Sequence, residues 1–230
     1  MTEQDEAAPD AGRDPAARIH RWISLIIVTI IGIEFVFVVA EGQWLSAALI
    51  LIIAGILLAP TLFRDRVSVT VPYEFQLVIL LFVFAALFLG EVRSYYDRFW
   101  WWDIVLHTTS GFLLGIFGFL LVYVLNENRH VEMSMRPRFV ALFAFLFAVA
   151  AGAIWEIFEF AMDQFFDTNM QKPMLGDPSG LTDTMWDLVV DTLGAAAIAL
   201  LGGSAMHGKR HSFIDAWISK FIARNPGLFR

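Results

Sequence analysis

Residues 103–125 read DIVLHTTSGFLLGIFGFLLVYVL and carry one acid and one histidine among apolar and small residues. A helix needs about 20 mostly apolar residues to cross the hydrocarbon core of a bilayer. Further segments of this kind lie at residues 22–40, 44–63, 72–90, 138–160 and 183–206. The sequence therefore predicts an all-α, polytopic transmembrane helical bundle of about six spans.

The composition of the whole chain agrees with a membrane protein. Of its 230 residues, 58% are hydrophobic and 17% are charged, and the mean hydropathy is +0.64. A soluble domain of this length cannot bury so much apolar surface. The chain has no cysteine, which excludes disulfides, zinc–thiolate sites and thiol nucleophiles. No segment is basic and aromatic enough for a nucleic-acid partner, so the lipid bilayer is the predicted partner.

The two ends of the chain differ from the spans. Residues 1–17 carry five acids against one base and lack apolar periodicity, which predicts a disordered acidic N-tail. Residues 18–206 are the predicted six-span domain, and residues 207–230 are a cytoplasmic C-terminal helix and tail. Apolar pairs recur every four residues in that last segment, which predicts an amphipathic helix in the membrane interface: Phe213 with Ile214, Trp217 with Ile218, and Phe221 with Ile222.

The basic residues are divided unevenly between the two sides of a six-span topology. All but three of the 16 Lys and Arg residues fall in the two tails and in the second and fourth connections; the exceptions are Arg93, Arg98 and Lys172. Because Lys and Arg are retained on the cytoplasmic side of a membrane, both termini are predicted to be cytoplasmic.

Acidic residues recur within the spans, where ionisable groups are costly and face a bundle interior or a cavity. The third and fifth spans carry them at their ends, whereas the fourth and sixth carry them at their beginnings. The alternating direction of the spans therefore predicts one cluster in the outer half of the membrane. It comprises eight carboxylates and one histidine: Glu91, Asp103, His107, Glu156, Glu159, Asp163, Asp183, Asp187 and Asp191.

Small residues continue the polar stripes toward the other side of the membrane. Gly111 and Gly115 follow His107, Gly152 lies one turn before Glu156, and Gly194 follows Asp191. Small side chains let helices approach closely. The pattern predicts three helices that pack tightly below a polar cup.

Carboxylates with one imidazole suit divalent cations such as Mg²⁺, Mn²⁺, Fe²⁺ or Zn²⁺, and a divalent cation is the only cofactor that the sequence suggests. The predicted metal ligands are Glu156, Glu159, Asp187, Asp191 and His107. His107 is alternatively a general base oriented by Asp103, so these two are the candidate catalytic residues. Glu91, Asp163 and Asp183 complete the polar cluster, and the loop 164–182 is expected to cover it.

Three simpler explanations for the acidic residues within the spans stay open. Asp103 and Asp183 stand where helix N-caps occur, although capping does not explain Asp187 or Asp191, about 6 and 12 Å beyond Asp183. The acids can pair with Arg93, Arg98 and Lys172, but three bases cannot neutralise eight carboxylates, so several acids must be protonated, hydrated or bound to a cation. The cluster can also serve only polar packing between helices.

Several motifs resemble the YjdF-type family of uncharacterised bacterial inner-membrane proteins. They are Asp103-x-x-x-His107 with Ser110-Gly111, WEIFEF at 155–160, and SGLTDTMWD at 179–187 with Asp191-x-x-Gly194. More faintly, Asp103-x-x-x-His107 and Asp187-x-x-x-Asp191-x-x-Gly194 resemble VanZ-type proteins, which are linked to glycopeptide-antibiotic tolerance and usually have Asn at the position of Asp191. The resemblance implies a multi-pass protein of the bacterial inner membrane and supplies no activity.

The leading hypothesis is an outward-facing intramembrane site that binds a divalent cation and acts on, or recognises, an envelope or lipid-linked ligand. Whether the chain is an enzyme stays open. One alternative is a proton- or cation-coupled transporter with the carboxylates as its relay, but the inner halves of the fourth to sixth spans lack ionisable residues. Another is a membrane assembly or stability factor with a purely structural polar cluster.

The predicted orientation can be tested against a background free of native cysteine. In spheroplasts, Ser179→Cys should react with a membrane-impermeant maleimide, because its loop is predicted to be external. Arg210→Cys, in the predicted cytoplasmic tail, is the matched control and should react only after permeabilisation. The reverse pattern would contradict the orientation.

Overall fold

The structure, a computed structural model, describes residues 15–62, 70–127, 135–207 and 213–225. Within these residues the secondary structure is helical, apart from one isolated bridge between Met174 and Asp177. The helices are α1 (Pro15–Ala40), α2 (Trp44–Leu62), α3 (Tyr73–Val83), a π-helix (Phe84–Val92) that continues α3, α4 (Tyr95–Arg98), α5 (Trp102–Glu127), α6 (Pro137–Phe166), α7 (Leu181–His207) and α8 (Phe213–Arg224).

Six helices among the described residues are long and apolar enough to cross a membrane, which confirms the predicted all-α fold with six spans. Helix α1 includes Pro15, inside the predicted N-tail of residues 1–17; proline is favoured in the first turn of a helix. Residues 1–14 lie outside the described residues, so the predicted disorder there stays a prediction. The C-terminal amphipathic segment is helical as α8, and its interfacial location stays a prediction.

The helices divide into two compact units, residues 1–98 and 99–230. In the first unit, α1, α2 and α3 with its π-helical continuation share one apolar core. Ile27 and Ile31 on α1 lie one turn apart, as do Ile50 and Ile53 on α2, so each helix buries a single stripe. Phe88 of the π-helix completes this core.

The third span departs from the regular helix that its sequence predicts. From Phe84 to Val92 the backbone is π-helical, and the N–H of Arg93 donates to the carbonyl of Phe88, five residues back. The extra residue per turn changes which side chains share a face. Arg93 forms a 2.8 Å ion pair with Glu34 of α1.

The second unit is built on α5, α6 and α7, whose register can be read from their close contacts. Gly111 of α5 packs against Asp191 of α7, and Gly115 packs against Ile198, so α5 and α7 run parallel. Gly118 packs against Ala144 of α6, whereas His107, earlier in α5, lies near Glu156. Helix α6 is therefore antiparallel to α5.

Glycines set the separation of α5 and α7 next to the polar residues. A Cβ atom at Gly111 would collide with the carbonyl oxygen of Asp191, and one at Gly194 with the carbonyl oxygen of Thr108. Both collisions are with backbone, which cannot move as a side chain can. The predicted close packing by small residues is thus present on these helices, and it keeps His107 within reach of α7.

Gly194→Ala should destabilise the protein by about 1–3 kcal/mol, the usual cost of overpacking, because its methyl group meets backbone of α5. Gly32→Ala on α1 is the matched control, since a Cβ there has no atom within 4 Å. It should be neutral, or stabilising by up to about 1 kcal/mol. Unfolding of the detergent-solubilised protein followed by circular dichroism measures both. Equal effects of the two substitutions would contradict the packing.

Candidate metal centre

His107 lies at the centre of the polar cluster of the second unit. It is buried on α5, one turn after Asp103. Its Nδ1 atom is 3.3 Å from Oδ2 of Asp191 on α7 and 3.7 Å from Oε1 of Glu156 on α6, while Nε2 is 3.6 Å from Oδ1 of Asp103. Of these contacts, the one to Asp191 is within hydrogen-bonding distance. Three helices therefore supply carboxylates to the two edges of one imidazole.

Asp191 is fully enclosed by its neighbours. The Ser110 hydroxyl donates to its Oδ1 at 2.6 Å, and its Oδ2 faces Nδ1 of His107. A Cβ atom at Gly152 of α6 would lie 2.6 Å from the same Oδ2, so only glycine leaves room for this carboxylate. Both oxygens of Asp191 thus have protein partners.

Two other buried carboxylates lack such partners. Asp187, one turn before Asp191 on α7, is 1% exposed, and Glu156 is 3% exposed. Among the described residues, neither oxygen of either side chain has a hydrogen-bond partner. Buried charges are costly unless they are paired or bind a cation, and buried polar atoms are rarely left unsatisfied. These two side chains are the strongest indication of a ligand in this unit.

Asp103, His107 and Asp187 each offer one ligand atom, and these three atoms lie within 4.8 Å of one another. Donors on opposite sides of a cation, with bonds of about 2.1–2.4 Å, are separated by roughly 4.2–4.8 Å. Two carboxylate oxygens and one imidazole nitrogen are also a chemically suitable donor set for a divalent transition metal. By distance and by donor type, these three residues could hold a metal ion.

The remaining predicted site residues have other contacts. Glu159 accepts a 2.8 Å hydrogen bond from the indole of Trp155, and Asp183 accepts one of 2.7 Å from the Lys172 N–H. Glu91 is exposed in the π-helix of the first unit. Glu159 and Asp183 interact electrostatically with His107, and the roles predicted for these two residues, for Asp163 and for Glu91 stay predictions.

Hydrogen bonds connect the loop between α6 and α7 to the last turns of α6 and to the first turn of α7. Asp163 accepts hydrogen bonds from the Thr168 hydroxyl and from the N–H groups of Met170 and Gln171. The Gln171 side chain donates to the Thr184 hydroxyl at 2.7 Å. The loop therefore lies against the first turn of α7, immediately before the turn that carries Asp187. That it covers the polar cluster stays a prediction.

The structure corrects the capping interpretation of Asp103 and Asp183. Asp103 is the second residue of α5 and Asp183 the third of α7, so neither is an N-cap. Asp177 fastens the start of α7 instead: its carboxylate accepts hydrogen bonds from the hydroxyl and N–H groups of Ser179 and Thr182. These bonds, the Ser179 hydroxyl first among them, hold the pKa of Asp177 below its usual range. The turn-forming run Asp177-Pro178-Ser179-Gly180 was its sequence signal.

Two of the three bases that the sequence suggested as partners of the acids have contacts of their own. Arg93 pairs with Glu34 in the first unit, and the Lys172 ammonium donates to the Asn169 carbonyl at 2.6 Å. Neither contact supplies a hydrogen bond to Asp187 or Glu156. A base does lie close to one of the two carboxylates, since Nδ1 of His107 is 3.7 Å from Oε1 of Glu156.

Comparison with known proteins agrees with the membrane fold. Residues 19–208 match the family described as "Predicted membrane protein (DUF2238)". An uncharacterised protein of Thermotoga maritima is 26% identical over 186 residues, which cover 77% of this chain and 86% of that protein. No solved structure matches the chain.

Proposed function

The chain belongs to the DUF2238 family of predicted membrane proteins, and we propose that its second helical unit binds one divalent cation among its membrane-spanning helices. The observation that carries this proposal is the burial of Asp187 and Glu156 without hydrogen-bond partners among the described residues. A cation would compensate both charges, which burial otherwise makes costly.

The proposed ligands are Asp103, His107 and Asp187, whose donor atoms lie within 4.8 Å of one another. The imidazole favours Mn²⁺, Fe²⁺ or Zn²⁺ over Mg²⁺ and Ca²⁺, which prefer oxygen ligands alone. Asp103 lies near Nε2 of the imidazole, whereas Glu156 lies 3.7 Å from Nδ1. When ionised, Glu156 adds to the electrostatic attraction for the cation. Glu159 and Asp191, which the sequence also suggested as ligands, have hydrogen-bond partners within the protein.

Three protein ligands leave coordination positions open, as in catalytic rather than structural metal sites. We propose that an oxygen of an envelope or lipid-linked ligand, such as a phosphate, occupies one of them. A bound divalent cation would act there as a Lewis acid. Glu156 would accept a proton from that ligand or from water, because its carboxylate accepts no hydrogen bond among the described residues.

The alternatives have less support. A transporter needs a polar path through the unit, but below His107 the helices meet through close contacts of Gly115 with Ile198 and of Gly118 with Ala144. A purely structural cluster would be expected to satisfy its own hydrogen bonds, whereas Asp187 and Glu156 do not among the described residues.

The setting proposed for this site is the bacterial inner membrane, with both termini cytoplasmic and the cluster facing outward. The distribution of Lys and Arg supports the orientation. The resemblance to the YjdF-type family supports the inner membrane, and it remains part of the proposal, as does the fainter resemblance to VanZ-type proteins.

Cation binding should be visible in the purified full-length protein. Wild-type protein should bind about one equivalent of Mn²⁺ or Zn²⁺ and become more stable, by about 2.7 kcal/mol when the free cation is at 100 times its Kd. Asp187→Asn should lose this cation-dependent stabilisation, because it removes a ligand and a charge. Thermal unfolding with and without cation, together with elemental analysis, measures both effects.

Asp167→Asn is the matched control. This exposed residue has a left-handed backbone (φ 54°) at the end of α6, a conformation that asparagine tolerates, so the variant should respond to cation as wild type does. The proposal fails if the wild type gains no stability from either cation, or if Asp187→Asn gains as much as the wild type.

A further inference from the structure

The contacts of Asp191 differ from those expected of a metal ligand. Its Oδ1 accepts the 2.6 Å hydrogen bond from Ser110, and its Oδ2 faces Nδ1 of His107 at 3.3 Å. The side chain is 2% exposed and lies against Gly152. Both oxygens are therefore engaged by the protein, unlike those of Asp187.

The two nitrogens of His107 face different surroundings. Nδ1 is directed at Asp191, whereas Nε2 is 3.6 Å from Oδ1 of Asp103, a separation too long for a hydrogen bond. A single cation placed between these two atoms, with bonds of about 2.1 Å to each, would fit that gap. Asp103 also belongs, with Asp187, to the group of neighbouring ligand atoms.

From this arrangement we infer that Asp191 is a positioning residue, which accepts the Nδ1 proton of His107 in a hydrogen bond and so directs Nε2 at the cation. The inference rests on the proposed function. It reverses the sequence-based roles, in which Asp191 was a ligand and Asp103 oriented the imidazole. Metal-binding histidines usually donate their second N–H to a carboxylate or a carbonyl, which fixes the tautomer and the ring orientation.

Ser110 has a supporting part in this arrangement. Its hydroxyl also lies 2.9 Å from the carbonyl of His107, one turn back on the same helix. Because Ser110 and His107 belong to α5 and Asp191 to α7, the serine links the carboxylate to the helix that carries the histidine. The absence of a Cβ at Gly111 and Gly152 allows Asp191 to come this close to α5 and α6.

The test uses full-length protein in detergent with Zn²⁺ as the probe. In protein labelled with ¹⁵N-histidine, and with His107→Gln identifying the signals, Zn²⁺ should bind Nε2 of His107 while Nδ1 keeps its proton. Asp191→Asn should still bind one Zn²⁺, with an affinity about 10- to 100-fold weaker in competition with a chelator, as for other residues that orient a ligand. Ser110→Ala should weaken binding in the same direction but less. Asp187→Asn, which removes a proposed ligand, should abolish stoichiometric binding.

Any of three results would overturn the inference while leaving the cation site intact. Zn²⁺ could be found on Nδ1 of His107. The Asp191→Asn variant could bind Zn²⁺ with wild-type affinity, or it could show no stoichiometric binding. Elution volume and helix content show whether Asp191→Asn folds. If it does not, the inference is decided by which nitrogen of His107 binds Zn²⁺ in the wild-type protein. A wild-type protein that binds neither Zn²⁺ nor Mn²⁺ contradicts the proposed function itself and this inference with it, a result seen before any variant is made.

Discussion

The burial of carboxyl groups between α5, α6 and α7 governs how the second helical unit is arranged. Asp187 and Glu156 are only 1% and 3% exposed, and their carboxyl oxygens have no hydrogen-bond partner among the described residues. Buried carboxyl groups are costly when ionised, so they pair with a base, bind a cation or become protonated. The glycines that bring α5 against α7 raise the cost of burying an ionised carboxyl group, because close packing leaves less space for water. The same packing places His107 and Asp103 beside Asp187, and so supplies the ligand set that a cation needs.

The sequence predicted the elements well because membrane burial leaves few choices. A helix that satisfies all its own backbone hydrogen bonds is the one way for a segment such as residues 103–125 to cross a bilayer without pairing into a barrel. Spacing of four residues likewise put Asp187 and Asp191 on one face of α7, and Asp103 and His107 on one face of α5. Both predictions follow from helix geometry alone.

Other features depend on contacts between helices, which periodicity does not specify. The spacing that aligned Asp187 with Asp191 could not show that Ser110 and His107 engage one carboxylate and not the other. The π-helix from Phe84 to Val92 has no clear signal in an apolar run. The hydrogen bonds of Asp177 at the start of α7 depend on the loop conformation before Leu181, so the sequence assigned capping to Asp183 instead.

We propose that one imidazole and carboxylates inside the second helical unit hold a divalent cation. X-ray absorption at the metal edge of wild-type protein loaded with one equivalent of Zn²⁺ can show these ligands. The spectrum should contain a shell of nitrogen and oxygen ligands at about 2.0–2.2 Å, with the outer-shell scattering of a single imidazole, and that imidazole scattering should be lost in His107→Gln. A spectrum indistinguishable from hydrated Zn²⁺, or imidazole scattering that persists in His107→Gln, would contradict it.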